Sequence, residues 1–114
     1  VKRFQVIIER PAAEDLDHYY RRAVAAGAGL NAARWFNRIV GVILSLEEAP
    51  DWRSPVPEQD EFSEKLYQVV FEHRYRIIYT LIQDRAHVLC VRGQGMREIG
   101  PTEIELPAAG DEPD

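Results

Sequence analysis

Cysteine is almost missing from this chain: Cys90 stands alone, so no internal disulfide can close and no multi-cysteine zinc site can form. Long apolar runs are missing too. Stretches such as Val42-Ile43-Leu44 span a few residues, against about 20 needed to cross a bilayer, and no basic segment leads into an apolar one as in a secretory leader. These absences predict a protein of the reducing cytoplasm with no membrane span. The compositional signature of disorder is absent as well, since 46% of the residues are hydrophobic and 29% charged. The 114 residues suffice for one core and leave no room for a second.

A basic surplus is also lacking. The formal net charge is −5, and its distribution is uneven: residues 1–63 carry −2, residues 64–98 carry +2, and residues 99–114 carry five acids and no base. The body is therefore neutral, which argues against sequence-specific DNA binding by this chain alone. In the last stretch Pro101, Pro107, Gly110 and Pro113 interrupt any regular element while like charges repel. Residues 1–98 are expected to form a single domain, and residues 99–114 a mobile acidic tail.

Within the body, Phe4, Val6 and Ile8 alternate with Gln5 and Glu9, broken only by Ile7, and predict a strand. Pro11 suits the first turn of a helix, Glu14 and Asp15 suit the positive end of its dipole, and Leu16, Tyr19, Tyr20, Ala23 and Val24 recur at helical spacing up to Gly27. Asn31 is the expected cap of a second helix, whose apolar stripe runs from Trp35 to Leu46. Residues 50–63 read as a loop anchored by Trp52. Three β-rich runs follow, residues 66–72, 75–82 and 86–92, with connections short enough to demand antiparallel hairpins. The predicted class is α+β: an antiparallel sheet covered on one face by an N-terminal helical hairpin, in the order β-α-α-β-β-β.

Little in this pattern carries covalent chemistry. His18, His73 and His87 fall on a helix, a turn and a strand without metal-ligand spacing, so neither metal nor cofactor is expected. The serines lack a nucleophile context, and Cys90 lies mid-strand. Arginine is more informative. Arg76 and Arg92 sit on strands predicted to be neighbours, with Arg97 just beyond, and a mid-strand arginine is uncommon unless it meets an anion. That anion is either a target or an internal carboxylate such as Glu72.

Taken together, Phe4 to Ile8 with Pro11 to Leu16, Ala32 to Leu46, Arg53-Ser54-Pro55, and Tyr75-Arg76-Ile77-Ile78-Tyr79 followed by Val88 to Arg92 resemble the RelE/ParE superfamily of toxins from bacterial type II toxin–antitoxin modules. The resemblance implies a toxin, encoded in plasmid-stabilisation modules among others, that inhibits growth and is silenced by a cognate antitoxin. Its target would be either DNA gyrase, as in the ParE branch, or ribosome-bound mRNA, as in the RelE branch. Arg76 and Arg97 are similar to two arginines of the RelE-type catalytic site. Tyr67 and Val69 stand where that branch has lysines, and Glu103 falls about where it has a catalytic tyrosine or histidine–tyrosine pair. Metal-free RNA cleavage needs a cation cluster and a proton donor or acceptor. The departures favour the ParE-like, non-enzymatic branch, with the nuclease and a non-toxic interaction module as alternatives. Expected target contacts are Arg76, Arg92 and Arg97. Expected antitoxin contacts are Arg21, Arg22 and Arg34 on the helical hairpin.

Overall fold

A computed structural model of the chain, which describes residues 3–48, 50 and 54–93, turns the opening alternation into strand β1 (Gln5–Ile8). Helix α1 (Arg10–Ala25) begins at once, with Pro11 in its first turn and Ala12 and Leu16 buried. Glu14 and Asp15 lie one turn further in than the sequence suggests, so the first turn of α1 carries no acid. The helix ends in a Schellman closure. Gly27 adopts φ 90°, its N–H donates to the Val24 carbonyl at 3.0 Å, and the Ala28 N–H donates to the Ala23 carbonyl at 3.0 Å. This tight reversal starts α2 (Gly29–Leu44) two residues before Asn31, which therefore sits in the first turn and does not cap.

Strands β3 (Leu66–Phe71), β4 (Tyr75–Ile82) and β5 (Arg85–Gly93) form the expected antiparallel meander. In the first hairpin Glu72 and His73 both take positive φ, 51° and 58°, the type I′ pattern that matches strand twist. Two further strands complete a sheet of order β1-β5-β4-β3-β2. The two-residue β2 (Ser54–Pro55) pairs antiparallel with β3, inside the segment read from sequence as a loop. β1 pairs parallel with β5, so the sheet is mixed where an all-antiparallel one is expected. The physical reason is tertiary: β1 satisfies the outer edge of β5, and the chain must leave it toward α1, which packs on β5.

The hairpin of helices covers one face of this sheet. Ala12, Leu16, Ile39 and Ile43 pack there against Tyr67, Phe71, Ile77, Tyr79, Ala86, Val88 and Val91. A smaller core lies on the opposite face, where Val56 and Phe62 from the segment after β2 meet Leu66, Ile78, Leu89 and Cys90. A bulge in β5 feeds it. Ile78 pairs with Cys90 and Tyr79 with Val88, which leaves Leu89 as an extra residue and sends both Leu89 and Cys90 to this side. Among the described residues no helix is long and apolar enough to cross a membrane.

Candidate functional site

Strand register brings Arg76 and Arg92 face to face, as directly opposed partners on β4 and β5. Arg97 lies outside the described residues, so its place beside them is an expectation from sequence alone. Arg76 is mostly engaged within the protein. Its guanidinium makes a two-pronged contact with Glu58, at 2.9 Å and 2.6 Å, and its Nε donates to Gln68 Oε1 at 2.8 Å. The Glu58 side chain is 1% exposed and that of Arg76 25%. The internal carboxylate is thus Glu58, in the turn after β2. Glu72, the partner suggested by sequence proximity, instead holds Arg38 of α2 at 2.7 Å.

Tyr67 and Val69 lie on the other side of the sheet from Arg76. Both pack into the helix-covered core, with Tyr67 stacked on Tyr79 at a centroid distance of 5.3 Å. A cation at either position would not reach Arg76. On the face of Arg76, β3 presents Gln68 and Val70, and Val70 is 53% exposed. β3 therefore adds no positive charge to this face.

Two titratable groups of β5, Cys90 and His87, are buried. Burial pushes the Cys90 thiol up to about 12, which makes it an inert apolar filler rather than a nucleophile. His87, on β5, is buried with Nδ1 2.8 Å from Glu9 Oε2. Among the described residues no three His, Cys, Asp or Glu side chains gather so as to hold a metal ion.

Asp15 does not serve the helix dipole but crosses to the sheet, where its Oδ2 accepts the N–H of Val91 at 2.9 Å. Burial raises its carboxyl above the ordinary 3.8, and the Val91 N–H only partly offsets this. An acid with a raised folded pKa contributes stability at low pH and loses it as pH rises through that folded value. Asp15→Asn keeps an acceptor for Val91 and removes the charge, so its stability relative to wild type should climb as pH rises from 3.8. Asp15→Ala also removes the charge but strands the buried N–H, and should lie about 1–3 kcal/mol below Asp15→Asn at all pH values. Urea melts of the three proteins between acid and neutral pH check both expectations; equal pH profiles for wild type and Asn would refute the first.

A second cluster was not singled out from sequence as a unit. At the C-terminal end of α1, Tyr19, Arg22 and Ala23 face Arg74, Tyr75 and Gly93 across a cleft of about 370 Å³. The Tyr19 hydroxyl accepts the Gly93 N–H at 2.8 Å, and its ring meets Tyr75 edge-on at 5.2 Å. The signal was present in two fragments, a Tyr and an Arg one turn apart on α1 and the adjacent Arg74-Tyr75, but only the fold joins them. Between the helices on their outer side runs a groove of about 350 Å³, lined by Asp17, Tyr20, Ala33, Phe36 and Asn37.

A family match agrees with this fold: the model described as "ParE toxin of type II toxin-antitoxin system, parDE" covers residues 6–98. The chain belongs to the ParE toxin family. A solved structure titled "Chromosomal ParDE TA system from P. aeruginosa" has the same fold, with a TM-score of 0.70 at 17% identity, covering 82% of this chain and 99% of that one. No curated protein matches the chain. As a ParE-family toxin it places Arg21, Arg22 and Arg34 on the helices, all exposed. Arg21 pairs with Asp17 at 3.0 Å at the rim of the interhelical groove. Arg22 belongs to the cleft with Arg74, and Arg34 neighbours Ala33 of the groove in sequence.

Proposed function

We propose that this ParE-family toxin inhibits growth by binding a protein target, DNA gyrase by family resemblance, and is neutralised by a cognate antitoxin. Its place of action is the cytoplasm. The observation that carries the non-enzymatic reading is the engagement of Arg76. A guanidinium committed to Glu58 and Gln68, beside a strand that contributes Gln68 and Val70, supplies little of the cation cluster that metal-free RNA cleavage needs. Target contact falls to Arg92 and Arg97, with Arg76 holding the face in shape. The structural neighbour belongs to a toxin–antitoxin system, and here the antitoxin is expected on the helical hairpin. There the Tyr20–Phe36 groove suits an apolar helix, and Arg21, Arg22 and Arg34 suit its acidic flanks.

The test has two arms on one preparation. Purified toxin is expected to inhibit gyrase supercoiling and to leave ribosome-bound message uncut in primer extension. A folded Arg92→Ala, Arg97→Ala double variant should lose growth inhibition while still co-eluting with the antitoxin. Codon-phased cuts dependent on the protein would promote the RelE-like nuclease, and absence of toxicity on expression would leave an interaction module.

A further inference from the structure

The cleft at the end of α1 is lined by two arginines, Arg22 of the helix and Arg74 of the turn before β4. Both side chains are exposed, and no carboxylate among the described residues lies within ion-pair distance of either. Two like charges converging on one concavity repel each other, and an anion between them relieves that repulsion. Tyr19 and Tyr75, whose rings meet edge-on, line the same cleft and offer aromatic surface to the methylenes of a glutamate.

The chain itself carries such groups next door. Gly93, the last described residue, is part of the cleft wall. The sequence that continues from it, residues 94–114, has six acids against one base, Arg97. Glu98 follows Gly93 by five residues, a reach of about 17 Å, and Glu103 and Glu105 have ample length to turn back. A carboxylate on so short a tether is present at an effective concentration on the order of millimolar, above that of most partners in trans.

We propose that the Arg22–Arg74 cleft is a carboxylate-binding site and that its occupant is the acidic C-terminal segment of the same chain, through Glu98, Glu103 and Glu105. The segment shields two exposed cations, and any partner that uses Arg22 has to displace it. The proposal concerns the free toxin and is independent of which target the toxin attacks.

The experiment uses the full chain. Cys90 is buried, so Thr102→Cys offers one reactive thiol for a nitroxide label. In amide NMR spectra, the peaks of Arg22, Ala23, Arg74 and Tyr75 are expected to be lost to paramagnetic broadening. Those of Gln83 and Asp84, at the far end of β4, should persist. The lost peaks should return when Glu98, Glu103 and Glu105 are all changed to Gln, and again at about 1 M salt, where the Debye length is about 3 Å. They should also return in an Arg22→Gln, Arg74→Gln variant whose Gln83 and Asp84 peaks stay in place, which shows the fold intact. Undiminished peaks in the labelled wild type overturn the proposal, as does equal broadening in the glutamine variants. Silence of the label while a separate acidic peptide shifts the Arg22 and Arg74 signals assigns the cleft to another protein, and overturns it too.

Discussion

Replacing Arg76 with alanine is expected to destabilise the domain by about 3–5 kcal/mol, because it takes a two-pronged guanidinium contact away from a Glu58 carboxylate that stays buried. Glu58 is 1% exposed and accepts both guanidinium nitrogens, so little water can take the place of Arg76. Arg76 keeps a quarter of its side chain in solvent, which places the effect toward the lower end. For a domain of this size the fall in Tm is on the order of 15–25 °C. The reciprocal Glu58→Ala should cost less, since a partly exposed arginine recovers some hydration. A double variant, Arg76→Met with Glu58→Leu, should regain most of the loss, because neither charge then needs a partner. Thermal melts of the four proteins decide the matter; a single Arg76→Ala that melts with wild type would mean that the pair contributes nothing. The result also governs how toxicity data are read. Loss of growth inhibition in an Arg76 variant is evidence of target contact only if the variant is still folded.

Tyr79 is the second position where a single change should have a large effect. It is fully buried at the centre of the helix-covered core, stacks on Tyr67, and its hydroxyl donates to the carbonyl of Pro50. Tyr79→Ala opens a cavity of aromatic size and should cost about 3–5 kcal/mol, a large share of the roughly 5–15 kcal/mol that holds a domain of this kind together. Tyr79→Phe keeps the ring and isolates the other contribution. The Pro50 carbonyl loses its donor in a buried setting, at a cost of about 1–3 kcal/mol. If Phe proves neutral in chemical denaturation, the tether from β4 to the end of the helical hairpin is not stabilising.

The parts of this fold legible in the sequence are those whose signals are local. β4 spans residues 75–82, as the β-rich run there predicts, and the helices follow the recurrence of Leu16, Ile39 and Ile43 at helical spacing. What periodicity does not carry is which partner lies across a gap. The parallel seat of β1 on β5 and the choice of Glu58 over Glu72 for Arg76 are decided by how distant segments stack. The same holds for Tyr67 and Val69, whose inward side follows from pairing with Tyr79 and Ile77. Asp15 reads as a helix-dipole residue because its real partner, the Val91 N–H, is 76 positions away. In the candidate site, sequence supplied the arginines and their strands. It left open whether Arg76 meets a target or an internal carboxylate, and pointed to Glu72 where the structure has Glu58.

The parallel pairing of β1 with β5 has a consequence for biosynthesis. Gln5 lies opposite Arg85, eighty positions later. The helical hairpin can assemble while the chain is still short, since its contacts are local, whereas the first strand made has to wait for the last one. Until β5 has cleared the ribosome exit, the edge of β1 is unpaired and the apolar residues beneath α1 lack their floor. Maturation of the arginine-bearing face accordingly waits for β5, and a nascent chain truncated before residue 85 carries the hairpin without the surface proposed for the target.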